Sequence, residues 1–521
     1  MLARTLAKTV WPTVAALLFC SAAPQAMAQA VSTAPTQGSG VSQEQALALS
    51  ARLDALERRN DELEREVQAL KASTTAGDEA LKKQVAAQPK ITFNNARPQI
   101  ASADGQFTAA FRGVFQLDTA LYDQHSAGPL ATDYRRGSFG DAAEADHARD
   151  LTDGANFRRV RIGIEGKAFG DWNYAFLYDF GGTGVEGAGQ INQAWLQYNG
   201  LGPVKVKVGA FAPLAGMDDS TSAYSTVFLE RAAISELTRG LAAGDGRTAV
   251  ALLAGGERWT ASAALSGNLV TKQGFDDQLG FVGRVAFLPW KGENGLLHLG
   301  ANTSVIIHPS ATGPDVAPAG AATPVRLRER TESRVDGTRL VDTGNIDADR
   351  VVAWGLEAGA QFRAVTLQSE YSHIGVERRA SALSNPDFSG WYVQGSWTLT
   401  GEPRRYAMAS GAFDVPRPKK PFNLKTGDWG AWEIAARYSD LDLNDTSGTS
   451  PIYGGEQQVW TLGLNWYPNA AVRFQANFQD VSVDRLSPGG TAFGAGALTP
   501  PAGAQVGQDF RIWSFRTQYA F

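Results

Sequence analysis

Apolar and polar residues alternate along most of the chain from about residue 107 to its end. In segment 172–180, aromatic side chains fill every second position, and Asn173 and Asp179 lie between them. A period of two is the pattern of a β-strand with one apolar face. In a soluble sandwich the apolar face would be buried between two sheets. Here the apolar face is aromatic in segment 172–180, and the opposite face carries Lys and Arg in segments 203–210 and 471–482, which suits a wall between lipid and water. The pattern predicts an all-β transmembrane barrel with lipid outside and water inside.

The barrel is predicted to have sixteen antiparallel strands. They are expected at 107–118, 156–167, 171–180, 190–199, 203–210, 246–254, 257–266, 279–288, 294–305, 351–361, 363–373, 389–400, 428–439, 457–467, 471–482 and 509–521. Short turns alternate with long loops between them, as at the periplasmic and extracellular ends of an outer-membrane barrel. Segment 401–427 falls on the short-turn side although it is long, Pro-rich and basic, and the pattern predicts no structure for it.

Composition and motifs exclude several classes of protein. No stretch after the N-terminus offers the ~20 apolar residues of a spanning helix, and the mean hydropathy is −0.22, so a helical transporter is excluded. The net charge of −5 argues against a nucleic-acid partner. The five histidines are scattered without metal-type spacing, and the Gly-rich segment 181–189 lacks the Lys-Ser/Thr ending of a phosphate loop. We therefore expect no catalytic residues, no metal and no cofactor.

Residues 1–28 have the pattern of a secretory signal peptide. A basic start precedes a short apolar run, and Ala26-Met27-Ala28 is a small-x-small cleavage site. Because the one cysteine, Cys20, lies within the signal, the exported chain would contain no disulfide. We predict export through the Sec pathway to the outer membrane of a Gram-negative bacterium, with residues 29–43 as a flexible leader.

A heptad repeat over residues 44–71 predicts a periplasmic coiled-coil helix. Its core positions are Leu49, Leu53, Leu56, Asn60, Leu63, Val67 and Leu70. The flanking charges are opposite in sign, as a parallel homo-oligomer requires, and Asn60 would fix the register. A single helix packed on its own barrel is the alternative, and the heptad alone fits a dimer as well as a trimer. Residues 72–98 are predicted as a linker and 99–521 as the barrel.

Basic residues predominate at the positions predicted to face the lumen. The pore-lining and anion-binding candidates are Arg112, Arg159, Arg161, Lys205, Lys207, Arg231, Arg239, Arg284, Arg437 and Arg473. Two of them lie in segment 211–245, which occupies the place of the loop that folds inward in large barrel channels. Because rings of Arg and Lys favour anions, we predict passive diffusion of small anions. The alternative is that these residues only pair with lumenal acids, including Asp218 and Asp219.

The last strand alternates through Trp513, Phe515, Thr517, Tyr519 and Phe521. This pattern resembles the C-terminal signature by which outer-membrane barrels are recognised. Tyr519 and Phe521 are therefore expected to engage the barrel-assembly machinery.

Longer motifs lie between residues 157 and 467, within a region of roughly 90–521 over which the chain resembles one known family. They are Phe157-Arg158-Arg159-Val160-Arg161-Ile162-Gly163-Ile164-Glu165-Gly166, Gly170-Asp171-Trp172, Tyr178-Asp179-Phe180, Ala194-Trp195-Leu196-Gln197-Tyr198, Phe228-Leu229-Glu230-Arg231, Gly390-Trp391-Tyr392-Val393-Gln394, Leu399-Thr400-Gly401-Glu402, Gly430-Ala431-Trp432-Glu433, Ala436-Arg437-Tyr438-Ser439 and Leu462-Gly463-Leu464-Asn465-Trp466-Tyr467. Together they resemble the phosphate-selective porin O and P family. The resemblance implies a trimer of sixteen-stranded barrels, often with an N-terminal coiled coil, and an arginine ladder that includes Arg158, Arg159 and Arg161. The family often carries a lysine where this chain has Ala212, so phosphate specificity is not implied as directly as the fold.

The sequence thus predicts a homotrimeric porin for small anions, with phosphate or polyphosphate among the candidate solutes. Its expected partners are its own copies, outer-membrane lipid, the barrel-assembly machinery, small anions and, through the helix, the cell wall. Two alternatives remain open: a general or carbohydrate-type porin without phosphate selectivity, and an envelope tether in which the pore is secondary.

Overall fold

The computed structural model describes residues 42–94, 97–125, 134–135, 151–181, 189–270, 276–313, 320–489 and 500–521. The predicted signal peptide and the predicted leader up to residue 41 lie outside these ranges. The chain divides at Val85 into two compact units. The first contains a long helix and the second contains a barrel.

The helix of the first unit is α1 (Gln43–Ala86), with 44 residues. Its start is a capping box, in which the Gln45 N–H donates to Ser42 Oγ and the Ser42 N–H donates to Gln45 Oε1, both at 3.3 Å. The helix continues through residues 72–86, where a linker was predicted, because this stretch contains no proline and includes four alanines. Among the described helices, none is long and apolar enough to cross a membrane.

In the second unit, sixteen antiparallel strands close into a barrel, which confirms the predicted fold. A hairpin of β1 (Lys90–Asn94) and β2 (Arg97–Ala101) precedes the barrel and pairs with its first strand. The barrel strands are β3 (Thr108–Gln124), β4 (Gly154–Ala168), β5 (Trp172–Asp179), β6 (Gln190–Leu201), β7 (Val204–Ala210), β8 (Arg247–Gly255), β9 (Trp259–Leu269), β10 (Leu279–Gly292), β11 (Gly295–His308), β15 (Ile346–Phe362), β16 (Val365–Arg378), β17 (Asp387–Thr398), β20 (Ala431–Asp445), β21 (Ile452–Tyr467), β22 (Val472–Asp484) and β23 (Phe510–Ala520).

The barrel closes where β23 pairs with β3, from Phe510 opposite Gln124 to Ala520 opposite Val114. Beyond β23, the terminal Phe521 exchanges two backbone hydrogen bonds of 3.0 Å with Gly113. The Phe521 ring lies directly on Gly113, where a Cβ atom would come within 2.4 Å of it. A larger residue at position 113 would displace the Phe521 ring from this place.

The wall of the barrel is much lower on one side than on the other. Strands β15, β20 and β21 have 17, 15 and 16 residues, whereas β5, β7 and β8 have 8, 7 and 9. At ~3.3 Å per residue and a tilt of ~40°, the seven residues of β7 rise about 18 Å, less than the ~25 Å apolar band of an outer-membrane barrel.

Three segments fold into the barrel. Loop 3 (211–246) contains α2 (Met217–Ser220) and α3 (Ala233–Ala242). Loop 5 (described for 309–313 and 320–345) contains the two-residue strands β12 (Pro324–Val325), β13 (Arg328–Glu329) and β14 (Val341–Asp342). The third is the periplasmic hairpin (404–416), formed by β18 (Arg404–Ala407) and β19 (Ala412–Pro416) within the segment for which no structure was predicted. Ile234 of loop 3 and Leu327 of loop 5 are buried in one apolar cluster with wall residues such as Val459 and Ile512.

Candidate functional site

Loop 3 crosses the lumen and is held by the wall on several sides. Its helix α3 packs so closely on β17 that a Cβ atom at Gly390 would lie 3.0 Å from that of Ile234. At the start of α2, the Asp218 N–H donates to the carboxylate of Glu370 on β16 at 3.3 Å. The structure therefore places loop 3 inside the barrel, where the inward-folding loop was predicted.

Glu230 of loop 3 binds arginines on β4 and β23, the two strands that flank β3 where the barrel closes. Arg158 on β4 donates from Nε and Nη2 to its carboxylate at 2.7 and 3.1 Å, and Arg516 on β23 donates to it at 3.0 Å. Burial by itself would raise the pKa of Glu230, but Arg158 and its basic neighbours outweigh burial and hold the pKa well below its usual range. This carboxylate is therefore ionised and anchors the loop.

Arg158 reaches the lumen because of a β-bulge. Gln116 pairs with Arg159 and Leu117 pairs with Phe157, so Arg158 is an extra residue on β4. Both Arg158 and Arg159 are consequently buried inside the barrel. Strict alternation along the sequence places Arg159 inside and Arg158 outside, and it cannot locate the bulge.

A second group of ion pairs lies at the end of α3. Arg161 of β4 donates to Asp245 at 2.9 Å and to Asp179 at 2.7 Å, and Arg239 donates to the same Asp245 at 2.8 Å. Arg239 also pairs with Asp219 at 2.5 Å. Both Arg161 and Arg239 are thus matched by carboxylates within the protein.

Four more of the predicted anion-binding arginines also have carboxylate partners. Arg112 lies 3.0 Å from Glu165, Arg231 lies 3.7 Å from Glu236, Arg284 lies 2.7 Å from Glu357, and Arg437 pairs with Glu332. Arg284 also donates to the Gly411 carbonyl of the periplasmic hairpin at 2.8 Å. Arg231, Arg284 and Arg437 therefore help to hold the inserted segments, whereas the partly buried pair of Arg112 and Glu165 joins the wall strands β3 and β4.

Glu236 shows how firmly these carboxylates are ionised. Burial would raise its pKa, but the guanidinium groups of Arg334, Arg239 and Arg231 outweigh burial and lower it to about 2. Arg334 lies in loop 5 and donates to Glu236 at 2.7 Å. The same carboxylate therefore couples loop 3 to loop 5.

One row of lumenal side chains has arginines without carboxylate partners. The row runs through Arg159, Gln116, Gln518 and Arg473, which are register neighbours on β4, β3, β23 and β22. Arg159 donates to Gln116 at 2.7 Å, and Gln116 donates to Gln518 at 2.6 Å. Arg473 donates to the Val227 carbonyl of loop 3 at 3.1 Å. Among the described residues, neither arginine has an ion pair, and each has a buried Nε without a hydrogen-bond partner.

The unpaired row, as we call these four residues, adjoins a cavity at the end of the barrel where β23 ends. This vestibule has a volume of about 820 Å³. Its charged lining residues are Arg97, Arg112, Lys167, Arg405, Arg417, Arg473 and a single acid, Glu165. The lining is therefore strongly basic, even though the whole chain has a net charge of −5.

The two predicted lysines lie on strand β7, which pairs with β6. Lys207 lies 4.0 Å from the ring centre of Trp195, which lines the vestibule, and 4.5 Å from that of Phe211. Lys205, two residues earlier on the same face, is exposed. Within the described part of the chain, neither lysine has a carboxylate partner.

Several charged residues of the site were not predicted from the sequence. Arg404 and Arg405 belong to the periplasmic hairpin, and Arg97 belongs to the hairpin before the barrel. Arg404 is buried and donates to Glu433 at 2.6 and 2.9 Å. Neither segment has an alternating pattern long enough to predict a strand. The basic composition of 401–427 was the one feature of the sequence that drew attention to the first segment, and nothing drew attention to the second. In the ranges that the structure describes, no group of His, Cys, Asp and Glu could hold a metal ion.

Comparisons with known proteins identify the family. The model of the family described as phosphate-selective porin O and P matches residues 134–490. Porin O of Pseudomonas aeruginosa is 27% identical over 406 residues, which cover 73% of this chain and 91% of that protein. An uncharacterised protein of Caulobacter vibrioides is 28% identical over 403 residues, covering 76% of this chain and 72% of that one.

Among solved structures, an anion-selective porin from Comamonas acidovorans is similar with a TM-score of 0.45 and 10% identity, over 80% of this chain and all of that one. The family match spans well over half of the chain and agrees with the sixteen-stranded barrel. The chain belongs to the phosphate-selective porin O and P family.

Proposed function

We propose that this porin is an outer-membrane channel for the passive diffusion of small anions. The observation that carries the proposal is the vestibule, which is lined by six Arg and Lys residues and one Glu. The unpaired row adjoins it and adds Arg159, which has no carboxylate partner among the described residues. Membership of a family of porins, rather than of enzymes, supports a channel.

The charges divide into two groups with different roles. Pairs such as Arg284 with Glu357 hold the inserted segments in place. The attraction for anions comes from the unpaired row, from Lys205 and Lys207, and from the vestibule. Fixed positive charge along a narrow passage lowers the energy of an anion and raises that of a cation.

Phosphate is a candidate solute, and the residues of loop 3 affect how strongly the channel would attract it. Ala212 stands where the family often has a lysine, which removes one cation. Asp218 and Asp219 do not offset the basic lining, because Asp219 pairs with Arg239 at 2.5 Å and Asp218 is buried against the Ala232 N–H at 3.2 Å. Guanidinium groups also suit the planar, bidentate binding of oxyanions.

Planar-bilayer recording of the purified protein tests this proposal. Stepwise conductance is expected, and phosphate is expected to reduce the chloride current at low concentration. A conducting channel that phosphate does not block would favour a general or carbohydrate-type porin. A correctly folded protein that never conducts would exclude the channel.

The functional unit is proposed to be a homotrimer whose subunits meet at β7 and β8 in the low wall. Strand β7 is too short to cross the apolar band alone, and the outer faces of β7 and β8 carry only Val, Thr, Leu and Ala. Val208 and Val250 are about half exposed there, at 48% and 50%. By contrast, a lipid-facing wall carries aromatic residues at both interfaces.

Quenching by spin-labelled lipid tests this subunit surface. A fluorophore on Val208→Cys is expected to be shielded, whereas one on Leu462→Cys, on the outer face of the tall wall, is expected to be quenched. Equal quenching at the two positions would contradict the subunit surface.

Helix α1 is proposed to form the coiled coil of the same trimer. Its heptad residues remain exposed in the single chain, from 44% for Leu63 to 65% for Leu49. This exposed stripe also favours the second candidate function, an envelope tether that reaches the cell wall. Deletion of residues 44–71 separates the two roles, because the tether role predicts loosened envelope attachment with unchanged conductance.

Two proposals concern the chain ends. Residues 1–28 are proposed as the signal for export by the Sec pathway. Tyr519 and Phe521 are proposed as the signal for the barrel-assembly machinery. Tyr519 is 42% exposed on the outer face and stacks on Phe115, with ring centres 6.4 Å apart.

A further inference from the structure

The segment that follows the periplasmic hairpin lies on the outside of the barrel. Residues 419–429, called the basic turn here, are fixed to the outer face by Phe422, whose ring lies 5.4 Å from that of Trp466 on β21 and 5.7 Å from that of Trp429. The Phe422 N–H donates to the Pro468 carbonyl at 2.7 Å, and the Trp466 indole N–H donates to the Trp429 carbonyl at 2.8 Å. The turn is therefore a docked element of defined position.

The aromatic residues give the depth of this turn in the membrane. Trp466 also stacks on Trp432 at 5.5 Å and on Phe474 at 5.3 Å, all on the outer face at the end of the barrel where the chain terminates. Such a band of aromatic side chains marks the boundary between acyl chains and headgroups. The basic turn therefore lies at the headgroups of the periplasmic leaflet.

The wall behind the turn is one that faces lipid. Strands β20 and β21, with 15 and 16 residues, are long enough to span the apolar band. They carry a second aromatic pair, Tyr438 and Trp460, with ring centres 4.8 Å apart, toward the other end. This wall is distinct from the low wall assigned to the subunit contact.

The exposed side chains of the turn combine positive charge with apolar surface. Lys419, Lys420 and Lys425 are exposed, and the one acid of the turn, Asp428, lies 3.5 Å from Lys420. Leu424 is 74% exposed and Trp429 is 59% exposed. In water such exposure would be costly for both residues, but at a membrane surface they contact acyl chains while the lysines remain among the headgroups.

We propose that the basic turn binds the headgroup of an anionic phospholipid in the periplasmic leaflet. The lysines supply ion pairs to the lipid phosphate, and Leu424 and Trp429 contact the first methylene groups of the acyl chains. The chemistry that is recognised is a phosphodiester that carries a net negative charge next to an apolar chain. This inference depends on the outer-membrane placement of the barrel but not on its ion selectivity.

A fluorophore on Thr426→Cys tests the site in the full chain reconstituted in nanodiscs. Spin-labelled phosphatidylglycerol is the anionic probe, and spin-labelled phosphatidylethanolamine is the zwitterionic control. Each lysine near an anionic headgroup contributes roughly a fivefold preference. For each probe, the measured quantity is the mole fraction of spin-labelled lipid that quenches half of the fluorescence. In wild type, this mole fraction is expected to be at least about tenfold lower for the anionic probe than for the control probe.

The variant Lys419→Gln/Lys420→Gln/Lys425→Gln is expected to remove this difference. The matched control is Lys291→Gln, an exposed lysine near the end of β10 and close to Glu293, at the same end of the barrel; it is expected to keep the difference. Unchanged conductance of the triple variant verifies the fold and separates this test from that of the channel.

Three outcomes would overturn the site. They are equal quenching by the two probes in wild type, a preference that survives in the triple variant, and the absence of quenching by either probe. The last outcome would place the turn in water, away from the lipid.

Discussion

Replacement of Arg473 by Gln tests the source of anion attraction most sharply. Arg473 lines the vestibule, has no carboxylate partner among the described residues, and donates to the Tyr224 and Val227 carbonyls of loop 3 at 3.4 and 3.1 Å. Gln is shorter and neutral but retains N–H donors, so the change removes the charge while partly preserving the hydrogen bonding.

The size of the effect follows from Coulomb's law. An ion in the vestibule at ~8 Å from the guanidinium, with an effective dielectric constant of ~80, interacts with it by about 0.5 kcal/mol. The anion loses that stabilisation and the cation loses the same repulsion, so the ratio of their permeabilities should change by about 1 kcal/mol, or roughly fivefold. A lower effective dielectric constant enlarges the change, so fivefold is the smaller estimate.

Reversal potentials of single channels under a KCl gradient measure this ratio. Arg511→Gln is the matched control, because Arg511 lies on the outer face of neighbouring β23 beside Asp480, at 3.4 Å. The control should leave the ratio unchanged, and Arg473→Gln should reduce the preference for anions. An unchanged ratio in Arg473→Gln, with normal conductance, would refute the assignment of selectivity to the unpaired row and the vestibule.

Three further predictions concern the inserted segments. Glu230→Gln leaves Arg158 without its buried counter-ion and should destabilise the fold by about 3–5 kcal/mol, measured by denaturant unfolding; a loss under about 1 kcal/mol would contradict the anchoring role. The ionised carboxylate of Glu236 contributes stability that is fully present above its ordinary pKa of 4.5 and is lost as the pH falls from there through about 2, so hydrogen exchange should find α3 equally protected at about pH 7 and about pH 6; lower protection at about pH 6, after correction for the intrinsic exchange rate, would contradict this. Deletion of 404–416 together with Glu433→Gln should raise the single-channel conductance, because the hairpin occupies the lumen, and an unchanged conductance would place the limiting section elsewhere.

The barrel could be predicted from the sequence because each strand has its own alternating pattern. Aromatic residues at every second position of β5, and again in β23, define an outer face without reference to any other part of the chain. The strand count follows from the alternation of short turns and long loops. Local patterns of this kind need no knowledge of which strands are neighbours.

The charge pairing could not be predicted, because it depends on contacts between distant segments. Nothing near Arg284 indicates that Glu357 neutralises it, or that Glu332 of loop 5 reaches Arg437. The one-residue bulge that turns Arg158 inward was not predicted either. Two consecutive arginines in an alternating strand were the one signal in the sequence that could have indicated it. The periplasmic hairpin was missed because its strands have only four and five residues.

The preference for anions is the central claim and is tested most directly on the unmodified protein. The measurement is the reversal potential of the wild-type channel in a planar bilayer under a KCl gradient. Because the vestibule and the unpaired row are basic, the reversal potential is predicted to have the sign of the chloride equilibrium potential. A reversal potential with the sign of the potassium equilibrium potential would contradict the preference for anions.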